Sequence, residues 1–83
     1  MTNDDKERLC RRGLHLLDLG KSLEEAFDEL LELMPQARRF TSAQVEKLKQ
    51  NIARIVEDKR RRWLNDKQAF YRFVDVVDVV ASA

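Results

Sequence analysis

Phe70-Tyr71-Arg72-Phe73-Val74-Asp75-Val76-Val77-Asp78-Val79-Val80 decides the fold of this 83-residue chain. Its five valines favour a strand, because a side chain branched at Cβ loses rotamer freedom in a helix. Its polar residues argue the other way. Arg72, Asp75 and Asp78 recur every third position, which gives a helix one narrow wet stripe, whereas a half-buried strand would alternate. The segment therefore reads as a helix that is apolar around most of its circumference and must be covered on two or more sides. A chain this short has little surface to spare for that cover. Phe70, Phe73, Val74, Val77 and Val80 are accordingly expected to form a self-association surface, and the protein a homodimer.

Upstream, Thr41 with Gln44 forms a capping box that opens a helix over about residues 42–64. Val45, Leu48, Ile52, Ile55 and Val56 give it a core stripe, which fails across Glu57-Asp58-Lys59-Arg60-Arg61-Arg62, where six consecutive charges leave no face to bury. Asn65 and Asp66 are good caps for a restart, giving a last helix over about 66–80. No Gly or Pro lies between Thr41 and Ala83, so the sequence predicts a long third helix that is continuous or kinked near residues 64–66.

The first half of the chain reads as a helical hairpin. Asn3 or Asp4 caps a helix over about 4–19, and Gly20 ends it. Ser22 and Glu25 form a second capping box for a helix over about 23–34, whose Leu23, Ala26, Phe27, Leu30, Leu31 and Met34 recur at three- and four-residue spacing. Pro35 disfavours helical geometry at Met34 and stops it. The Gly20-Lys21 link makes the two helices antiparallel. The expected fold is all-α: a helical hairpin packed on a long third helix, three to four helices in one domain spanning residues 1–83.

Charge is segregated along this architecture. Residues 22–34 hold five acids and no base, while residues 35–62 hold nine bases and three acids. The total of +1 hides the division and leaves only local patches to meet a polyanion. Arg8, Arg11, Arg12 and His15 make a basic face on the first helix, which the acids of the second could pair along the hairpin's edges.

Catalytic constellations are missing from the sequence. Cys10 and His15, each the only residue of its kind, lie five positions apart and do not face each other on one helix. They read as a small core filler and a surface residue. A carboxylate-bridged metal site would need Glu-x-x-His from facing helices, and there is no second His. No phosphate-binding glycine loop or nucleophile elbow appears. The expectation is a non-enzymatic protein with no cofactor and no metal. The free thiol suits a reducing cytosol, no stretch approaches a membrane span and the start of the chain does not read as a signal peptide, so a cytoplasmic location is expected.

What remains are surfaces. Lys59, Arg60, Arg61, Arg62 and Trp63 form a basic and aromatic patch suited to anchoring another protein. The acidic face of Glu25, Asp28, Glu29 and Glu32 suits a basic partner. Together they predict a small helical interaction module, an adaptor or inhibitor that works by occluding its partner. The alternative is a small nucleic-acid-binding regulator, with Arg38, Arg39 and Lys59 to Arg62 on phosphates. In composition, meaning short capped helices, dense charge and one free cysteine, the chain resembles small accessory proteins of bacteriophages and mobile elements that bind and block a host protein. That resemblance implies host takeover by occlusion and assigns no residue.

Overall fold

The computed structural model describes residues 1–82, and it is all-helical. Four α-helices run over Asn3–Asp18 (α1), Leu23–Glu32 (α2), Ser42–Arg60 (α3) and Asp66–Ser82 (α4), and a 3-10 turn spans Pro35–Arg39.

Side-chain chemistry at the helix starts explains most boundaries. Ser22 and Glu25 exchange hydrogen bonds with each other's backbone at 3.1 and 3.2 Å, and Thr41 and Gln44 do so at 3.2 and 2.8 Å. Asn65 and Gln68 make the same reciprocal pair at the head of α4, at 2.8 and 2.9 Å. At α1 the cap is Thr2, whose hydroxyl accepts from the Asp5 amide, one residue ahead of the expected Asn3 or Asp4. At the other end of α2, Met34 takes extended geometry before Pro35, and the helix stops at Glu32, two residues short of expectation.

The α3 to α4 connection departs from the expected long helix. Instead of continuing or kinking, the chain reverses. The Trp63 amide donates to the Asp58 carbonyl and the Arg62 amide to the Lys59 carbonyl, with Arg62 at φ 65°, which is the hydrogen-bond signature of a Schellman turn. α1 ends the same way: the Lys21 amide donates to Leu16 and the Gly20 amide to Leu17, with Gly20 at φ 91°. One motif serves both reversals, once with the residue that suits it and once without.

Because of that reversal α4 runs antiparallel to α3, and the order of its contacts with α1 makes it antiparallel to α1 as well. Lys6 meets Asp75, Glu7 meets Tyr71, and the Cys10 thiol lies 3.7 Å from the Lys67 carbonyl. Gln44 near the start of α3 donates to the Val80 carbonyl, while Lys59 at its end pairs with Asp66. α4 is the central helix. Phe27 of α2 stacks on Phe73 at 4.3 Å and meets Phe70 edge-on at 5.5 Å. Gly13 of α1 lets Phe70 approach so closely that a Cβ there would lie 2.5 Å from the ring.

This packing places the segment expected to self-associate inside the chain. Phe70, Phe73, Val74, Val77 and Val80 are all buried within the single chain, the first four in one cluster with Leu16, Phe27, Leu30, Leu48 and Ile55 among others. Three helices cover the greasy helix because each lays its apolar stripe on it and Gly13 removes the one side chain that would hold α1 away. The exposed stripe of α4 is Arg72, Asp75, Val79 and Ser82, with Val79 outside where a valine was expected to be covered. Arg72 pairs with Asp58 of α3 at 3.6 Å and Asp75 with Lys6 of α1 at 2.8 Å, so the stripe is tied to both flanking helices.

Candidate functional site at the turn between α3 and α4

Of the six charged residues from Glu57 to Arg62, Glu57, Asp58 and Lys59 are half-buried in the last turns of α3 and Arg60 to Arg62 are exposed, so the turn at residues 61–65 stands in solvent at the tip of the α3–α4 hairpin. Trp63 is the outlier on this turn. It is 67 % exposed, although its indole is the largest apolar side chain in the protein. The Arg61 guanidinium lies 5.5 Å from the ring centroid, within reach of a cation–π contact.

The cations around Trp63 are mostly engaged. Arg60 and Arg61 both bond to the Glu57 carboxylate, at 2.9 and 2.8 Å, and Lys59 pairs with Asp66 at 3.1 Å. The hydrogen bonds from Arg60 and then Arg61 hold the Glu57 carboxyl below the usual glutamate range. Among the described residues Arg62 makes no such pair. It occupies the left-handed position of the turn, where glycine is strongly favoured, and leaves its side chain exposed next to Trp63.

The other predicted surfaces fall elsewhere. Arg38 donates to the Glu32 carbonyl at 3.1 Å and so closes the end of α2, while Arg39 is exposed beside it. Both sit ahead of α3, and Lys59 to Trp63 lie at its far end; nineteen helical residues, about 28 Å, separate them. The structure does not bring the two basic patches together. Along α2, Asp28 and Glu32 are exposed, Glu25 is engaged in the capping box, and Glu29 pairs with Lys21 at 3.5 Å. Among the described residues no ion pair joins α1 to α2, so the basic and acidic outer faces of the hairpin do not neutralise each other.

His15 is exposed on α1 and Cys10 is buried, its thiol pushed up chiefly by burial. Among the described residues no three His, Cys, Asp or Glu gather as metal ligands, and no helix is long and apolar enough to cross a membrane. The left-handed backbone at Arg62 is the site feature that sequence reading missed. Its only signal was the failure of the apolar stripe at Glu57, which marks where burial stops and not where the chain turns. Comparison with protein-family models, with curated proteins and with solved structures finds no match.

Proposed function

We propose that this protein is a non-enzymatic docking module that binds another protein through the Arg60 to Trp63 turn and acts by covering the surface it binds. The observation that carries this reading is Trp63, two-thirds exposed on a hydrogen-bonded turn whose left-handed position is held by Arg62. An indole presented on a short turn ordered by two backbone hydrogen bonds needs little further ordering when it enters a partner's pocket. Tryptophan and arginine are the residues that most often anchor protein interfaces. A glycine at position 62 would relieve the backbone, so the arginine side chain is most simply there for what it contacts.

Local pairing weighs against the nucleic-acid alternative. Glu57 and Asp66 already engage Lys59, Arg60 and Arg61, and Arg38 and Arg39 lie too far away to add to one phosphate track. Trp63 is the single tryptophan, so its fluorescence reports on the turn directly. The test is affinity capture of the tagged protein from its native cell after nuclease treatment, comparing wild type with Trp63→Ala, which removes no core contact. A protein partner that co-purifies with wild type and is lost with folded Trp63→Ala supports the reading. Retention of that partner by the variant removes the turn from the interface, and quenching of Trp63 by added DNA or RNA with a steep log-linear salt dependence establishes the alternative.

A further inference from the structure

We infer that the groove between α2 and α3 is a second docking surface, shaped and charged for the apolar face of a basic amphipathic helix from another protein. α2 and α3 both lean on α4 but part towards solvent, leaving an open groove of about 430 Å3. Its floor is apolar, made by Phe27 from α2 and by Ile52, Ala53 and Val56 from α3. Phe27 is buried beneath it and Ile52 and Val56 are partly buried against the core, so the floor is fixed by the same packing that holds α4.

The rim sets the sign of the occupant. Glu24 and Asp28 line the α2 wall with no cation bound to either among the described residues, and Glu32 continues the same exposed face beyond the groove. On the α3 wall Glu57 is engaged by Arg60 and Arg61, and Lys49 is the one base. The unengaged lining charges are Glu24 and Asp28 on α2 against Lys49 on α3, so the excess is acidic and lies on the α2 wall, which complements lysines and arginines flanking an apolar stripe. The backbone sets the occupant's form. An elongated apolar floor between two helices suits the stripe of an amphipathic helix, the helix-in-groove mode of recognition, and the described residues offer no sheet edge for strand addition. α2 is ten residues long, about 15 Å, enough to flank two to three turns of a bound helix. This surface meets the Trp63 turn only at Glu57, and shifts at Ala26 to Asp28 and Ile52 distinguish binding in the groove from binding at the turn.

The experiment uses the full chain, uniformly 15N-labelled, and two synthetic peptides of about 18 residues with leucines at helical spacing, one with lysines on the polar face and the other with glutamates. The lysine peptide is expected to shift the amide signals of Ala26 to Asp28 and of Ile52 to Glu57, and the glutamate peptide to leave them in place. Ala53→Tyr, which fills the groove without changing charge, and Asp28→Lys, which reverses the rim, should each weaken binding about tenfold or more with helix content unchanged. Equal binding of the two peptides, shifts confined to the turn at 61–65 or to α1, or full affinity of Ala53→Tyr would each overturn the proposal. So would self-association of the protein that Ala53→Tyr abolishes, since the occupant would then be a second copy.

Discussion

Two residues in equivalent places, Gly20 and Arg62, show how much the local chemistry of one position can carry. Both stand in the left-handed position of a Schellman turn, at φ 91° and 65°. For glycine that geometry is free; for arginine it costs roughly 1–2 kcal/mol. Replacing Arg62 with glycine relieves this strain but adds about 0.4–1 kcal/mol of unfolded-chain entropy. Arg62→Gly is therefore expected to stabilise the fold by about 0.5–1 kcal/mol in urea denaturation while weakening partner capture. A loss of stability would mean that the arginine holds the turn and is not there for a partner. Glu57 gives a second test at this scale. Its carboxyl is held below the usual range by hydrogen bonds from Arg60 and Arg61, so its folded value lies under its unfolded one. The stability it contributes is complete above about pH 4.3 and is lost as pH falls through the folded value. An NMR titration of the Glu57 side chain should find its midpoint below the ordinary glutamate value, and Glu57→Gln should leave stability less dependent on pH in the acid range. A midpoint at or above the ordinary value would contradict the bonding seen at the turn.

Helix starts and helix ends differ in how plainly the sequence writes them. The starts of α2, α3 and α4 are encoded by pairs three residues apart, Ser22 with Glu25, Thr41 with Gln44 and Asn65 with Gln68, and side chains that reach so short a distance are legible without the fold. Thr41→Ala is expected to cost about 1 kcal/mol, measured by thermal unfolding. The end of α1 was legible because Gly20 marks it. The end of α3 was not, because an arginine stands where glycine would announce the turn, so the sequence predicts a helix that continues or kinks near residues 64–66 and gives the restart at Asp66 without the reversal. The candidate site was thus visible as residues, Lys59 to Trp63, but its shape was not: the exposed indole and the pairing of three of its four cations depend on where the backbone turns. Burial of α4 was hidden for a different reason. Its cover depends on contacts far apart in the chain, above all Phe27 on Phe73 and Gly13 under Phe70, which no local pattern records. Gly13→Ala should destabilise the protein by about 1–3 kcal/mol, since the new methyl would meet the Phe70 ring at 2.5 Å and force α1 away from α4. A neutral or stabilising effect would show that this close approach is not what holds the two helices together.

At the scale of the whole molecule, the radius of gyration is 11.9 Å, against about 12 Å for a fully compact chain of this length. The valine-rich helix is used up inside, and a second copy is not needed to hide it. Phe73→Ala is expected to cost about 3–5 kcal/mol with a urea midpoint that does not move with protein concentration. A midpoint that rose with concentration would return the segment to an interface. The surface that remains is divided, with Trp63 and Arg62 at the tip of the α3–α4 hairpin and Arg39 near the opposite end of α3. That division is why one anchoring turn, and not a continuous basic track, carries the functional reading. The most direct measurement places a photo-crosslinking amino acid at position 63 and irradiates the native cell. The account predicts a covalent adduct with another protein that survives nuclease treatment and disappears when the crosslinker is moved to exposed position 39. Adducts to nucleic acid, or protein adducts formed equally from both positions, would contradict it.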